Sequence, residues 1–191
     1  MNHLLERQAA IFEAKREVSR QPVYLDTETT GLEGMDQIVE ICALDHNGTV
    51  LIDSLVKPTG KIPPDAMRIH GITNELVKNA PSWLEIWPQV KAAIADRRVA
   101  IYNAEFDVRL MQKSHRKHQM NWELPNNLFF CLMKLYARFY GQWDSFRGSY
   151  RWQNLEAAGR QCKIALPNAH RANADTLLAR AVLQYMSGQE R

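Results

Sequence analysis

The order of elements along the chain predicts an α/β domain, with strand-like runs crowded into the first third and helical segments alternating with short apolar runs after that. Two observations carry this expectation. Val23 to Leu25, Ile38 to Leu44 and Thr49 to Val56 are rich in β-forming residues, and Asn47-Gly48 between the last two is a strong hairpin signal. From Ser82 onward, 3.6-residue periodicity alternates with short apolar stretches. A sheet that begins as an antiparallel meander and carries helices is expected.

Residues 1 to 20 place Leu4, Leu5, Ile11, Phe12 and Val18 among alternating charges, the pattern of a short amphipathic helix packed on the domain. The strand opened by Val23 ends in a turn at Gly31. Lys57 to Pro64 reads as a proline-bounded loop, Asp65 to Asn79 as short helical turns, and Ser82 to Asp96 as a helix capped by Ser82 with Pro88 as an irregularity. Arg98 to Tyr102 and Leu128 to Met133 are candidate strands. Ala104 to Gln119, Leu135 to Tyr140, Leu155 to Cys162 and Ala172 to Met186 are candidate helices. Gly141 to Tyr150, rich in Gly, Ser and aromatics, breaks the pattern and is expected to be an exposed loop.

At 191 residues the chain fits one domain, and 46% hydrophobic with 24% charged residues is an ordinary globular balance. No stretch reaches the roughly 20 apolar residues a membrane span needs, and Glu6, Arg7 and Glu13 interrupt any signal-peptide core, so a cytoplasmic protein without membrane contact is expected. Cys42, Cys131 and Cys162 lack metal-site or dithiol spacing and read as reduced thiols. A net charge of +3 is too mild to diagnose a polyanion ligand, although Lys113 to His118 (KSHRKH) and scattered arginines in the last third permit nucleic acid.

Five polar residues stand out. Asp26 and Glu28, two apart at the end of a β-run, send both carboxylates to one face and could share a cation. Thr29-Thr30-Gly31-Leu32 then offers a hydroxyl-rich turn whose glycine lets backbone N–H groups approach a ligand. Asp107 follows the strand that ends at Asn103, and it faces the crevice of Asp26 if the two strands run parallel. His170 and Asp175 are five apart, about 140° around a helix, so both can serve one site only if Asp175 is on a helix and His170 on the loop before it, around Pro167-Asn168. Read singly, the acids are more readily a solvated turn or a helix-dipole carboxylate than a site, and the histidine is as readily a surface residue.

In series, these segments resemble the DnaQ-like, DEDDh-class 3′-to-5′ exonucleases of the ribonuclease-H-like superfamily, a group that includes proofreading subunits, exonuclease X and ribonuclease T. DTETTGL matches the first motif, Asn103-Ala104-Glu105-Phe106-Asp107 the second and His170 to Asp175 the third, while Ile69-His70-Gly71-Ile72-Thr73 matches the IHGIT loop and Cys131 to Leu135 a strand-to-helix segment. The resemblance covers about residues 22 to 186. It implies an α/β, ribonuclease-H-like five-stranded mixed sheet with helices on both faces, with residues 1–21 as an N-terminal helical extension and 22–187 as the exonuclease domain.

The resemblance also implies the chemistry: Asp26, Glu28, Asp107 and Asp175 as ligands of two divalent ions, Mg²⁺ or Mn²⁺, and His170 as general base. Thr29, Thr30, Gly31, Leu32, His70, Ile72, Asn103 and Phe106 would hold the 3′ nucleotide. The family pattern assigns no role to the 142–150 loop, but aromatics exposed there can stack on bases, with Trp143 and Tyr150 as candidates. The expected substrate is a single-stranded 3′ end, DNA in preference to RNA. A polymerase or repair partner is compatible with this, and residues 1 to 20 could serve docking or a homodimer. The alternatives are an RNA-trimming exoribonuclease, a non-catalytic nucleic-acid-binding or polymerase-associated module, and an endonuclease of the same superfamily.

Overall fold

The computed structural model describes residues 3–31, 36–165 and 170–188. A first helix α1 (His3–Ser19) leads into strands β1 (Val23–Thr29), β2 (Ile38–Leu44) and β3 (Val50–Leu55), then helices α2 (Pro64–His70) and α3 (Trp83–Ile94). Strand β4 (Val99–Ile101), helix α4 (Ala104–Lys117), strand β5 (Phe129–Cys131) and helix α5 (Leu132–Tyr140) follow, then strands β6 (Trp143–Asp144) and β7 (Ser149–Tyr150) and helices α6 (Leu155–Gln161) and α7 (Ala172–Ser187).

The main sheet has the order β3-β2-β1-β4-β5. β2 pairs antiparallel with β1 and β3, while β4 runs parallel to both β1 and β5. This is the five-stranded mixed sheet expected, with helices on both faces. The two-residue alternation of the strands sorts the core. Tyr24, Cys42, Leu44 and Ala100 pack with α1, α5 and α7, whereas Val23, Leu25, Ile41, Ala43, Val99 and Ile101 pack with α3 and α4. β2 lies between two strands and beneath helices on both sides, so all seven of its residues are buried.

Local chemistry sets several boundaries. Ser82 and Glu85 form a reciprocal capping box at the start of α3, which runs on through Pro88. Gly71 ends α2 with a left-handed φ of 73°. β5 is shorter than the Leu128–Met133 run, because α5 begins at Leu132 and turns Leu132 and Met133 into the core.

Two expectations need correcting. First, α1 packs on the domain as expected but with only part of its apolar set: Ile11 and Val18 rest half-buried against the core, Leu4, Leu5 and Phe12 are exposed, and the fully buried positions are Ala10, Ala14 and Glu17. The small alanines let α1 approach α5 and α7 closely, and Glu17 fixes the helix by ion pairs with Arg98 (3.1 Å) and Arg20 (3.0 Å). Second, the 141–150 segment is not an open loop but a small hairpin, with Trp143 paired to Tyr150 and Asp144 to Ser149.

Candidate active site

β1 carries Asp26 and Glu28 to the α7 side of the sheet and Thr27 to the other, as its pleat requires. Because β4 runs parallel beside β1, both strands end on the same edge, and the chain turns from β4 into α4 at Asn103, in the left-handed conformation (φ 75°) that asparagine tolerates. Asp107, in the first turn of α4, is thereby brought under that edge, where the Thr27 hydroxyl donates to its Oδ1 at 2.6 Å. This is the switch point of the sheet, with β1 flanked by β2 on one side and β4 on the other.

Asp175 enters from the first turn of α7. Ligand oxygens of Asp26, Glu28 and Asp175 lie within 4.8 Å of one another. Asp107 stands outside this close trio, yet its charge is the largest repulsive influence on Asp26. His170 sits outside α7 with φ 65°, and its backbone N–H donates to the Asp175 carboxylate. Its side chain is half exposed, with Nε2 4.0 Å from Glu156 Oε1, on a cleft of about 260 Å³ lined by Asn154, Leu155, Glu156, His170 and Asp175. Histidine on the approach and aspartate on the helix is the arrangement the five-residue spacing demanded. Pro167-Asn168 lies outside the described residues.

The electrostatics are those of acids crowded at low dielectric. Burial, then the charges of Asp107, Glu28 and Asp175, hold Asp26 well above the usual carboxylate range. Burial, then Asp175 and Glu40, pushes Glu28 up to about 8. Burial raises Asp107 to about 7 against the pull of the Thr27 hydroxyl, and burial also raises Asp175, offset by His170. Glu28 and Asp107 therefore keep protons near neutrality unless a cation compensates them. Their donor set is all hard carboxylate oxygen, with no thiol or imidazole in the trio, which fits Mg²⁺ or Mn²⁺ rather than zinc.

The expected nucleotide contacts are placed unevenly. Thr29 donates its hydroxyl to the Gly31 carbonyl at 2.7 Å, and Thr30 donates to Asp36 Oδ1 at 3.0 Å, so both hydroxyls brace the turn. At Gly31 a Cβ would meet Asp36 Oδ1 at 2.8 Å, which explains the glycine. His70 Nδ1 accepts the Ile72 N–H at 3.0 Å, which leaves Nε2–H to donate to the Thr29 carbonyl at 3.2 Å. Burial lowers the pKa of His70, so the ring is neutral. Ile72 packs with Val39, Ile62 and Val77. His70 and Ile72 therefore hold the wall behind the turn. Phe106 is half-buried near Arg109, and Leu32 lies outside the described residues.

Glu40 went unnoticed in the sequence. It faces Glu28 across the β1–β2 ladder and is almost completely buried. Both of its carboxylate oxygens accept from Arg171 Nε at 3.1 Å, and Oε2 also accepts the Ala172 N–H at 2.9 Å. The clamp fixes the start of α7 immediately after His170. A glutamate inside the apolar run IVEICAL was the available signal, since a buried charge needs a partner. Replacing Glu40 by glutamine is expected to cost about 1.5–3 kcal/mol of stability. It should also lower kcat 10- to 100-fold with KM little changed, as steady-state kinetics beside a thermal melt will show.

A mixed sheet whose carboxyl edge gathers acids from β1, α4 and α7 beside a histidine is the frame of a ribonuclease-H-like nuclease. The sequence comparisons place it within that class: residues 23–183 match the RNase_T exonuclease family, so the chain belongs to that family and is a 3′-to-5′ exonuclease of the DnaQ-like kind. It is 35% identical to an uncharacterized exonuclease of Escherichia phage 186 over 179 residues, 91% of this chain and 92% of that protein. It is 28% identical to the DNA polymerase III epsilon subunit of Rickettsia felis over 90% of this chain and 76% of that one. Among solved structures it resembles exonuclease X in complex with 5′ overhanging duplex DNA (TM-score 0.63, 28% identity, 87% of this chain and 92% of that chain). The fold is also shared with Escherichia coli exonuclease I in complex with a dA16 oligonucleotide (TM-score 0.70, 18% identity, 89% of this chain and 41% of that one). No helix among the described residues is long and apolar enough to cross a membrane.

Proposed function

We propose that the protein removes nucleoside 5′-monophosphates one at a time from the 3′ end of a single strand, DNA in preference to RNA. In this reading Asp26, Glu28, Asp107 and Asp175 hold two divalent ions, Mg²⁺ or Mn²⁺, and His170 is the general base. The observation that carries it is the meeting of Asp26, Glu28 and Asp175 within 4.8 Å, from two elements about 150 residues apart in sequence, beside a half-exposed histidine. The DNA preference rests on the likeness to exonuclease X, whose structure was solved on DNA.

Two divalent ions, when bound, supply Lewis-acid stabilisation of the charge that develops on the phosphoryl group and ease ionisation of the attacking water. By resemblance to the family, Asp26 would help hold both ions, and Glu28 and Asp175 would assist on the side of the attacking water. His170, half exposed on the cleft it shares with Asp175, is the side chain that takes the water's proton. The Thr29–Gly31 turn, braced by His70, forms the wall against which the terminal nucleotide is held.

The test is direct. With Mg²⁺, a 5′-labelled single strand should shorten as a descending ladder with mononucleotide release, and a circular single strand should survive. Absence of a ladder with both DNA and RNA, in either Mg²⁺ or Mn²⁺, would sink the enzymatic reading, cutting of the circle would indicate an endonuclease, and faster RNA shortening would make it an exoribonuclease. His170→Ala should lower kcat about 10²- to 10⁴-fold while calorimetric Mn²⁺ binding stays close to that of the parent. Parental turnover in His170→Ala would remove the base assignment.

A further inference from the structure

The sequence singles out Trp143 and Tyr150 for base stacking, but their rings are spent on the fold. They meet edge to face at 5.2 Å, and His3 of α1 packs against both, with its Nδ1 3.2 Å from the Tyr150 hydroxyl. What this anchoring does is hold two other aromatics out in solvent. Phe146, at the hairpin tip, is 96% exposed, and Trp152, just past β7, is 64% exposed.

We infer that the β6–β7 hairpin and the segment after it form a second nucleic-acid contact, where Phe146 and Trp152 stack on bases upstream of the 3′ end and Arg147 and Arg151 face the phosphates. The inference rests on the exonuclease reading and extends it to substrate length.

Three features support it. The tip is built rather than loose: Asp144 Oδ1 accepts the backbone N–H groups of Phe146 and Arg147, both at 3.1 Å, Gly148 supplies a left-handed φ of 62°, and the Arg151 N–H donates to the Gln142 carbonyl at 2.8 Å. A braced turn presents an aromatic ring with less entropy to lose on stacking. Next, the surface leads to the reaction site. Trp152 is two residues from Asn154, at most about 7 Å along the chain, and Asn154 lines the cleft of His170 and Asp175. Trp152 in turn borders a wide cleft of about 770 Å³ formed with the hairpin, a size that takes one or two nucleotides. Finally, the charge suits a polyanion. Arg147 and Arg151 outnumber Asp144 among the residues lining that cleft, and Asp144 already pairs with Arg151 at 3.3 Å. Exposed aromatics interleaved with arginine on a path that starts at the catalytic cleft match the demands of a single strand, whose bases stack without sequence preference.

The experiment compares the parent with the Phe146→Ala/Trp152→Ala double variant, on two substrates. One is the p-nitrophenyl ester of thymidine 5′-monophosphate, too short to reach the hairpin, and the other a series of oligothymidylates of 2 to 12 residues. Affinity for fluorescein-labelled oligomers is read by anisotropy in EDTA. The parent should bind more tightly as length grows, and the double variant should lose that gain, weakening about 5- to 150-fold per ring on the longest strand, with equal turnover of the ester and an equal thermal melt. Equal affinity of parent and variant for the longest strand would overturn the inference and leave the surface to a protein partner. Equal losses on ester and oligomer would overturn it too, since the hairpin would then be acting on the shape of the site. A parent inert on the ester but showing the length-dependent difference in binding would count against the proposed hydrolysis and not against this contact.

Discussion

Asp26→Asn should extinguish hydrolysis by more than about 10³-fold and at the same time make the cation-free protein harder to unfold. Both effects have one cause. Asp26 takes charge repulsion from Asp107, Glu28 and Asp175 on top of the cost of burial. Asparagine keeps the shape and one acceptor oxygen but removes the charge that would share two cations. It also removes the repulsion that Glu28 and Asp175 contribute. A carboxyl whose folded pKa is raised loses about 1.4 kcal/mol of stability for each pH unit between its unfolded and folded values, a loss that neutral asparagine avoids, and for a domain of this size each kcal/mol moves Tm by roughly 2–4 °C. Thermal unfolding in EDTA at pH 8, beside the ladder assay, checks both halves. A variant that is inactive but melts lower than the parent would mean that Asp26 has a stabilising partner within the chain, contrary to the electrostatics of the cluster. The opposition of stability and activity is what a site strained for function predicts.

How far the sequence carried depended on whether a feature was local. Period-two alternation was enough to join Asp26 to Glu28, and the five-residue step was enough to separate His170 from α7, because strand and helix geometry fix both. The hairpin between β2 and β3 was written in Asn47-Gly48. Partnership across the sheet was not legible. The glutamate at position 40 could be seen as odd, but that its partner was Arg171, more than 130 residues away, is a property of α7 crossing β2. The face of α1 was read only in part for a related reason. Ile11 and Val18 of its apolar set reach the core, but the closest contact is made by Ala10 and Ala14, since close helix packing rewards small side chains that carry little hydrophobic signal. In the same way Trp143 and Tyr150 looked available because nothing near them in sequence revealed His3.

A double variant separates the clamp from the base. If Glu40 acts by holding the chain beside His170, then Glu40→Gln should cost kcat in the parent and almost nothing further in His170→Ala, because residues that act as a unit are not additive. A loss of equal size in both backgrounds would reassign Glu40 to general stability.

In EDTA the protein should lose stability as pH rises from about 6.5 to 8.5, and divalent cations should abolish that loss. An acid whose folded pKa exceeds its unfolded value favours the folded state most below the unfolded pKa, and that contribution drains away up to the folded one. Glu28 rises from 4.5 to about 8 and Asp107 from 3.8 to about 7, with Asp26 and Asp175 raised as well, so the drain extends from about pH 4 to 8. Other groups act elsewhere. Asp45, held low by Arg97 and His46, gives up its contribution only in strong acid, and the buried neutral rings of His70 and His115, both lowered, cost stability as pH falls below 6.5. Above pH 6.5 the carboxylates are therefore the cluster that governs, and each proton the folded state holds beyond the unfolded state costs up to about 1.4 kcal/mol per pH unit. Cations bind the ionised form, so a fixed concentration should stabilise more at pH 8 than at pH 6.5, and the whole stabilisation is about 2.7 kcal/mol where that concentration stands at a hundred times Kd. Melting curves at half-unit pH steps, with EDTA and with 10 mM MgCl₂, provide the measurement. A Tm in EDTA that is flat or climbs from pH 6.5 to 8.5 would show carboxylates that ionise as they do in water, and the cluster would then have no need of a cation to hold it together.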